Sequence, residues 1–190
     1  IGDFTLTIPL PEIGKQRVDL VSVAQDGREQ VSSVRLLRLD AAEDIDGVGW
    51  AKRDITDALT LGFIEKKSDA MFYPKDLVTR AEFARGLALV RGLPQPRDLS
   101  GIQVNDVNQN TPHALYIKAI LDAGYFNLEQ NRFNPGAFIR RHEAVEAIVK
   151  MEGLESGPQV GELPFKDVDR NDPFYEALAL ALRNGIIQAS

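Results

Sequence analysis

The sequence predicts a mainly α-helical chain of tandem helix-loop-helix repeats, preceded by a short all-β segment. Three observations carry that expectation. The hydrophobic period changes from two to helical after Asp40. Landmark residues then recur: Gly62, Gly124 and Gly185, and Pro74 and Pro135, each return after about sixty residues. Between those landmarks the order is constant: a helical pattern, a Gly with a short apolar stretch, a loop ending in Phe-x-Pro, and a second helical pattern.

The opening segment, residues 1–42, reads as three strands. Phe4-Thr5-Leu6-Thr7-Ile8 alternates apolar and polar residues until Pro9 and Pro11 stop it. Val18, Leu20, Val21 and Val23 form a second run, and Val31, Val34, Leu36 and Leu39 a third, with Asp26-Gly27 between them as a hairpin turn. Three strands with one apolar face are marginal alone. The Gly-x-Phe start and the Asp-Gly hairpin resemble the closing strands of bacterial immunoglobulin-like domains, which implies a partial sandwich whose remaining strands lie upstream or in another molecule. With no initiator Met and no signal-like apolar region, the chain reads as a mature fragment.

The first repeat, residues 43–103, contains Asp44-Ile45, Trp50-Ala51, Gly62-Phe63-Ile64, Phe72-Tyr73-Pro74 and Thr79-Arg80-Ala81-Glu82. Its second helix should bury a face of Phe83, Leu87 and Val90 before Gly92-Leu93-Pro94 ends it. The second, residues 104–162, contains Asp106-Val107, Gly124-Tyr125-Phe126, Phe133-Asn134-Pro135 and Arg140-Arg141-His142-Glu143, with Val145 and Ile148 on the buried face. The third, residues 163–190, contains Phe165-Lys166-Asp167-Val168 and Gly185-Ile186-Ile187, stopping before its Pro and second helix. Each glycine suits the left-handed position after a helix. The stretches after it should be strand-like, and Gln95 to Gln103 and Glu152 to Gly161 should be linkers.

Charge and composition exclude several functions. Lys and Arg total 22 against 28 Asp and Glu, a net charge of -6. Nucleic-acid binding needs clustered Lys and Arg, so it is not expected. If the partner is an anion, its cationic site must be local. The apolar stretches fall short of the roughly 20 residues a bilayer span requires, so membrane insertion is not expected. The chain has no Cys, which removes disulfides, thiolate metal sites and cysteine nucleophiles.

Thr79-x-x-Glu82 is a capping box, in which each end of the motif satisfies a backbone amide of the other. Following Phe-x-Pro within a repeat of this length, it resembles the S-layer homology domain. The hallmarks of that family are Phe-x-Asp-Val, Trp-Ala, Gly-Ile-Ile and Thr-Arg-Ala-Glu, and here they stand at Phe165-Val168, Trp50-Ala51, Gly185-Ile187 and Thr79-Glu82. The resemblance covers residues 43–190. It implies a pseudo-threefold bundle whose inter-repeat grooves bind secondary cell-wall polysaccharide, often bearing pyruvate ketals, or peptidoglycan-linked glycan. The implied protein is non-enzymatic and extracellular, anchoring a surface or S-layer protein to the envelope. The alternative is a structural self-assembly unit, with homo-oligomer or lattice contacts through the β segment and incomplete repeat.

The candidate ligand-binding residues are Trp50, Thr79, Arg80 and Arg141. A helix N-terminus carries unpaired amides and partial positive charge, and Arg80 adds a bidentate fork for a carboxylate. The competing role for Arg80 is a salt bridge, either on the surface or between repeats. Trp50 can stack on a sugar ring, or it can be the largest core residue of the first helix. Arg141 matches Arg80, but Arg140 stands where the capping Thr should be and His142 where the Ala should be. That second site loses a cap and gains charge.

No catalytic set, cofactor or metal is expected. Asp106-x-Asn108-x-Asn110 and Asp167-x-Asp169-x-Asn171 open like calcium loops, but they lack the central Gly and the closing Glu, so turn and cap use is expected. His113 and His142 have no metal-ligand spacing, and neither a phosphate loop nor a nucleophile elbow is present.

Overall fold

Alternating side chains and an Asp-Gly turn produce the one sheet found among the described residues. The computed structural model describes residues 5–128, 130–155 and 163–188. Within them, β1 (Gly14–Val23) pairs antiparallel with β2 (Glu29–Arg38), and five helices follow: α1 (Lys52–Thr60), α2 (Arg80–Arg91), α3 (Ala114–Asp122), α4 (Arg141–Met151) and α5 (Tyr175–Arg183). The architecture is therefore helix-rich with a short β segment, as expected. The chain divides into two compact units, one reaching to Lys75 and the other starting at Asp76.

In the first unit the hairpin turns where it was predicted. Gly27, at φ +82°, donates to Ala24 at 2.9 Å, and Asp26 accepts from the amide of Arg28 at 3.2 Å. The predicted first strand does not form over residues 5–8, and Phe4 lies outside the described residues. Among the described residues they have no ladder partner; the segment after them is tied down by Arg38, whose guanidinium donates to the carbonyls of Leu10 and Pro11, both at 2.8 Å. The sheet has two strands, not three. After it, Ala42, Ile45 and Leu59 form a small core with Val48, Ile55, Ile64 and Phe72.

The predicted helix ends are found in all three repeats. Gly62, Gly124 and Gly185 have φ of +73°, +74° and +70°. After them, Phe63, Tyr125 and Ile186 donate back to Ala58, Ile120 and Ala181 at 2.9, 3.0 and 2.8 Å, closing the same left-handed cap each time. This is also why the expected strand-like stretches are absent, since amides spent on the helix cap are not free for a ladder.

A second recurring device was not anticipated. Asp44 accepts the amides of Phe72 and Tyr73 at 2.9 and 2.7 Å. Asp106 accepts those of Phe133 and Asn134 at 2.9 and 2.7 Å. Each carboxylate so fixes the Phe-x-Pro corner of its own repeat. It holds Tyr73 and Asn134 at φ +58° and +55°, a conformation unfavourable for a side chain with a Cβ.

The second unit packs helices across the repeat boundaries. α2 lies against α3, and α4 against α5. Ala81, Ala84, Leu87 and Ala88 of α2 share a core with Val107, Ile117, Ile120 and Phe133. Of the face expected to be buried on α2, Leu87 is in the core and Phe83 packs against it, but Val90 is exposed. α4 is buried on two sides: Ala147 and Met151 join that first core, while Val145 and Val149 pack on Leu178 and Leu180 of α5. Most of the expected linker from Glu152 to Gly161 lies outside the described residues.

Candidate functional site

The chemistry of the second unit is organised around Arg80. Its helix starts with the predicted capping box: Glu82 donates its amide to Thr79 Oγ1 at 3.2 Å, and Thr79 donates its own to Glu82 Oε2 at 2.7 Å. The next amides are also taken, but by another repeat. Arg80 N donates to Ala137 O at 2.8 Å and Ala81 N to Pro135 O at 3.1 Å, while Thr79 bridges to Phe138. The expectation that this helix N-terminus offers open amides to an anion is therefore corrected. The loop after Phe133 has already filled them.

Arg80 is only 7% exposed. Its Nε donates to Phe133 O at 2.6 Å, and its Nη1 is paired with Glu143 Oε1. The guanidinium carbon lies 5.2 and 5.1 Å from the ring centres of Phe126 and Phe133. A buried guanidinium is tolerated only with such complete partnering, and the flat cation suits two aromatic faces. Glu143 in turn accepts the amide of Arg140 at 2.8 Å through its other oxygen. One carboxylate thus joins the second helix of the first repeat to the helix start of the second.

Above this pair lies a cavity of about 380 Å³. Arg80 and Phe126 line it together with Tyr125, Asn127, Arg132, Asn134, Phe138, Arg140, His142, Glu143, Glu146, Pro173 and Phe174. The residues come from all three predicted repeats, as Arg80 belongs to the first and Pro173-Phe174 to the third. His142 stacks on Phe174 with ring centres 4.2 Å apart and planes 17° off parallel. Phe138 is 57% exposed and presents a ring at the rim. Three arginines, two carboxylates and several aromatic faces make a wall suited to a polar, ring-shaped anion.

The predicted site residues are placed unequally. Arg80 lines the cavity, and Thr79 holds the helix that carries it. Arg141 is the exposed first residue of α4 and is not among the lining residues. Trp50 belongs to the first unit and is 89% exposed, which removes a core role for it. Arg132, Arg140, His142 and the aromatic residues were missed as site residues. Only the Arg140-Arg141-His142-Glu143 stretch gave a signal, in the Arg and His that stand where the first repeat has Thr and Ala.

The Asp/Asn loops serve as turns. Asn108 accepts the amide of Asn110 at 2.9 Å, and Asp169 that of Asn171 at 2.8 Å. Among the described residues no group of three or more His, Asp or Glu is placed to hold a metal, and no helix is long and apolar enough to cross a membrane.

Residues 43–84 and 164–189 match the family described as "S-layer homology domain". In these two segments the chain is similar to that family. The two matched segments contain the Trp-Ala, Thr-Arg-Ala-Glu, Phe-x-Asp-Val and Gly-Ile-Ile motifs on which the resemblance rested. A relative, the "Surface-layer 125 kDa protein" of Lysinibacillus sphaericus, is 33% identical over 91 residues. That alignment covers 47% of this chain and 8% of the relative, so the chain spans only a small part of the relative's length. Between the two matched segments, the second predicted repeat has the same helix cap and the same Asp-held corner as the first.

Proposed function

We propose that this chain is a non-enzymatic anchor, holding a larger surface protein non-covalently on an anionic glycan of the cell envelope. The observation that carries the reading is the cavity of the second unit, where arginines and aromatic rings from the three predicted repeats converge. A sugar ring stacks on an aromatic face while its carboxylate meets a guanidinium, and a net charge of -6 is no obstacle to a focused cationic pocket. Pyruvylated secondary wall polysaccharide fits this chemistry, as does a peptidoglycan-linked acidic glycan. Arg80 is the charged floor of the pocket, Thr79 fixes it, and Arg141 is an outlying contact for a longer polymer; Trp50, in the first unit, is a separate sugar-stacking contact. The S-layer homology match and the surface-layer relative favour a cell-surface setting.

Purified wall sacculi, with and without their secondary polymer, test the reading. Retention of the chain only when the polymer is present is the expected result, and polymer-independent recovery overturns it. The second reading, self-assembly, draws on the ten-residue hairpin, whose Val21, Val23, Val31 and Leu37 are exposed. Concentration-dependent oligomers without glycan, seen by light scattering, are its signature.

A further inference from the structure

We infer that Arg140 is the residue that grips the ligand's carboxylate, with the His142–Phe174 stack beside it as the platform for the sugar. The assignment rests on the anchoring reading above and deepens it. Its basis is how the charges around the cavity are already spent. Arg80 is buried and paired with Glu143. Arg132 has Asp106 at 3.9 Å from its Nε. Glu143 uses one oxygen on Arg80 and the other on the amide of Arg140. Glu146 is bonded to Asn127 and lies 3.4 Å from Lys150. Both carboxylates are thus engaged within the protein.

Arg140 is different. Its backbone amide is fixed by Glu143, which sets the position of the side chain's root, yet among the described residues no hydrogen bond or ion pair engages its guanidinium. It is exposed and lines the cavity. A planar fork with all its donors open meets a carboxylate with two parallel bonds, and it needs no internal pair to be broken first. An anion at Arg80 must instead compete with Glu143 for a buried partner. Arg140 occupies the place of the capping Thr79 in the first repeat, so the second repeat has exchanged a helix cap for an open cation at the mouth of the cavity.

Calorimetric titration of the full chain with a pyruvate-ketal hexoside, and with the methyl ester of the same compound, tests the assignment. The wild-type chain should bind the acid about tenfold more tightly than the ester, the scale of a charge-assisted bond. Arg140→Thr should lose that preference while melting no lower than wild type. Arg140→Gln, which leaves the cap unchanged, should lose it equally and serves if the first variant folds poorly. Undiminished preference for the acid in these variants overturns the assignment, as does a wild-type chain that is retained on sacculi but binds both compounds alike. Both outcomes leave the anchoring reading standing. If wild type binds neither compound and is not retained on sacculi, the anchoring reading falls and the assignment falls with it.

Discussion

At the scale of single residues, two carboxylates hold together segments distant in sequence, a role that sequence reasoning did not weigh for either. Glu143 ties Arg80 to the start of α4. Removing one partner of a buried pair leaves the other without compensation, a loss of about 3 kcal/mol or more. Arg80→Met should therefore lower stability by roughly that amount. Arg80→Met with Glu143→Met should cost less than the two single changes added together. Urea unfolding of the four proteins measures the coupling, and strict additivity would show that the pair is energetically idle. Asp44 is the second case. Its carboxyl is held below the usual carboxylate range, first by the amide of Phe72 and then by that of Tyr73, against the opposing effect of burial. Because the folded value is depressed, the ionised form favours the fold. That contribution is complete above the ordinary range near about pH 4 and is lost as pH falls through the lower folded value. Acidification should destabilise the first unit in that window, and Asp44→Asn should flatten the response. An unchanged acid limb in the variant's melting profile would remove Asp44 from the account.

At the scale of elements, the hairpin and the helix caps lie at opposite ends of legibility. The caps were readable because each depends on local chemistry: a glycine that accepts positive φ, or a Thr and Glu three residues apart. The hairpin turn was readable for the same reason. The missing first strand was not, because alternation in Thr5 to Ile8 signals a strand only if an edge exists to receive it, and the pairing partner is not encoded nearby. The two strands bury little of either face, with Val21, Val23, Val31, Val34 and Leu37 exposed. Two-stranded ribbons are marginal in water. Residues 1–42 expressed alone should give either a disordered or an aggregated product. A monomer with dispersed amide resonances and cooperative melting is the result that contradicts this.

At the scale of the whole molecule, the unit of sequence and the unit of packing are offset. The repeat runs from one Asp-x to the next, but α2 packs on α3 and α4 on α5, so each helix pair unites the end of one repeat with the beginning of another. A fragment of residues 43–103 contains α2 without Ile117, Ile120 and Phe133, the residues that cover it. It should melt far below the full chain, followed by circular dichroism. Residues from Asp76 onward should unfold in one transition, and Phe133→Ala, at a position with no exposure, should lower their stability by about 3–5 kcal/mol. Two separated transitions in that unit would mean that its two cores are independent. The sequence by itself determined the helical class, the period and the caps, because each is a matter of local backbone preference or of recurring residues. It also singled out Arg80. Only the tertiary structure decided what Arg80 touches, that its helix start is closed by the next repeat, that Trp50 is exposed, and that Arg140 and His142 face a common cavity with Phe174. Those facts depend on contacts between residues tens of positions apart, and no local preference specifies which distant partner arrives.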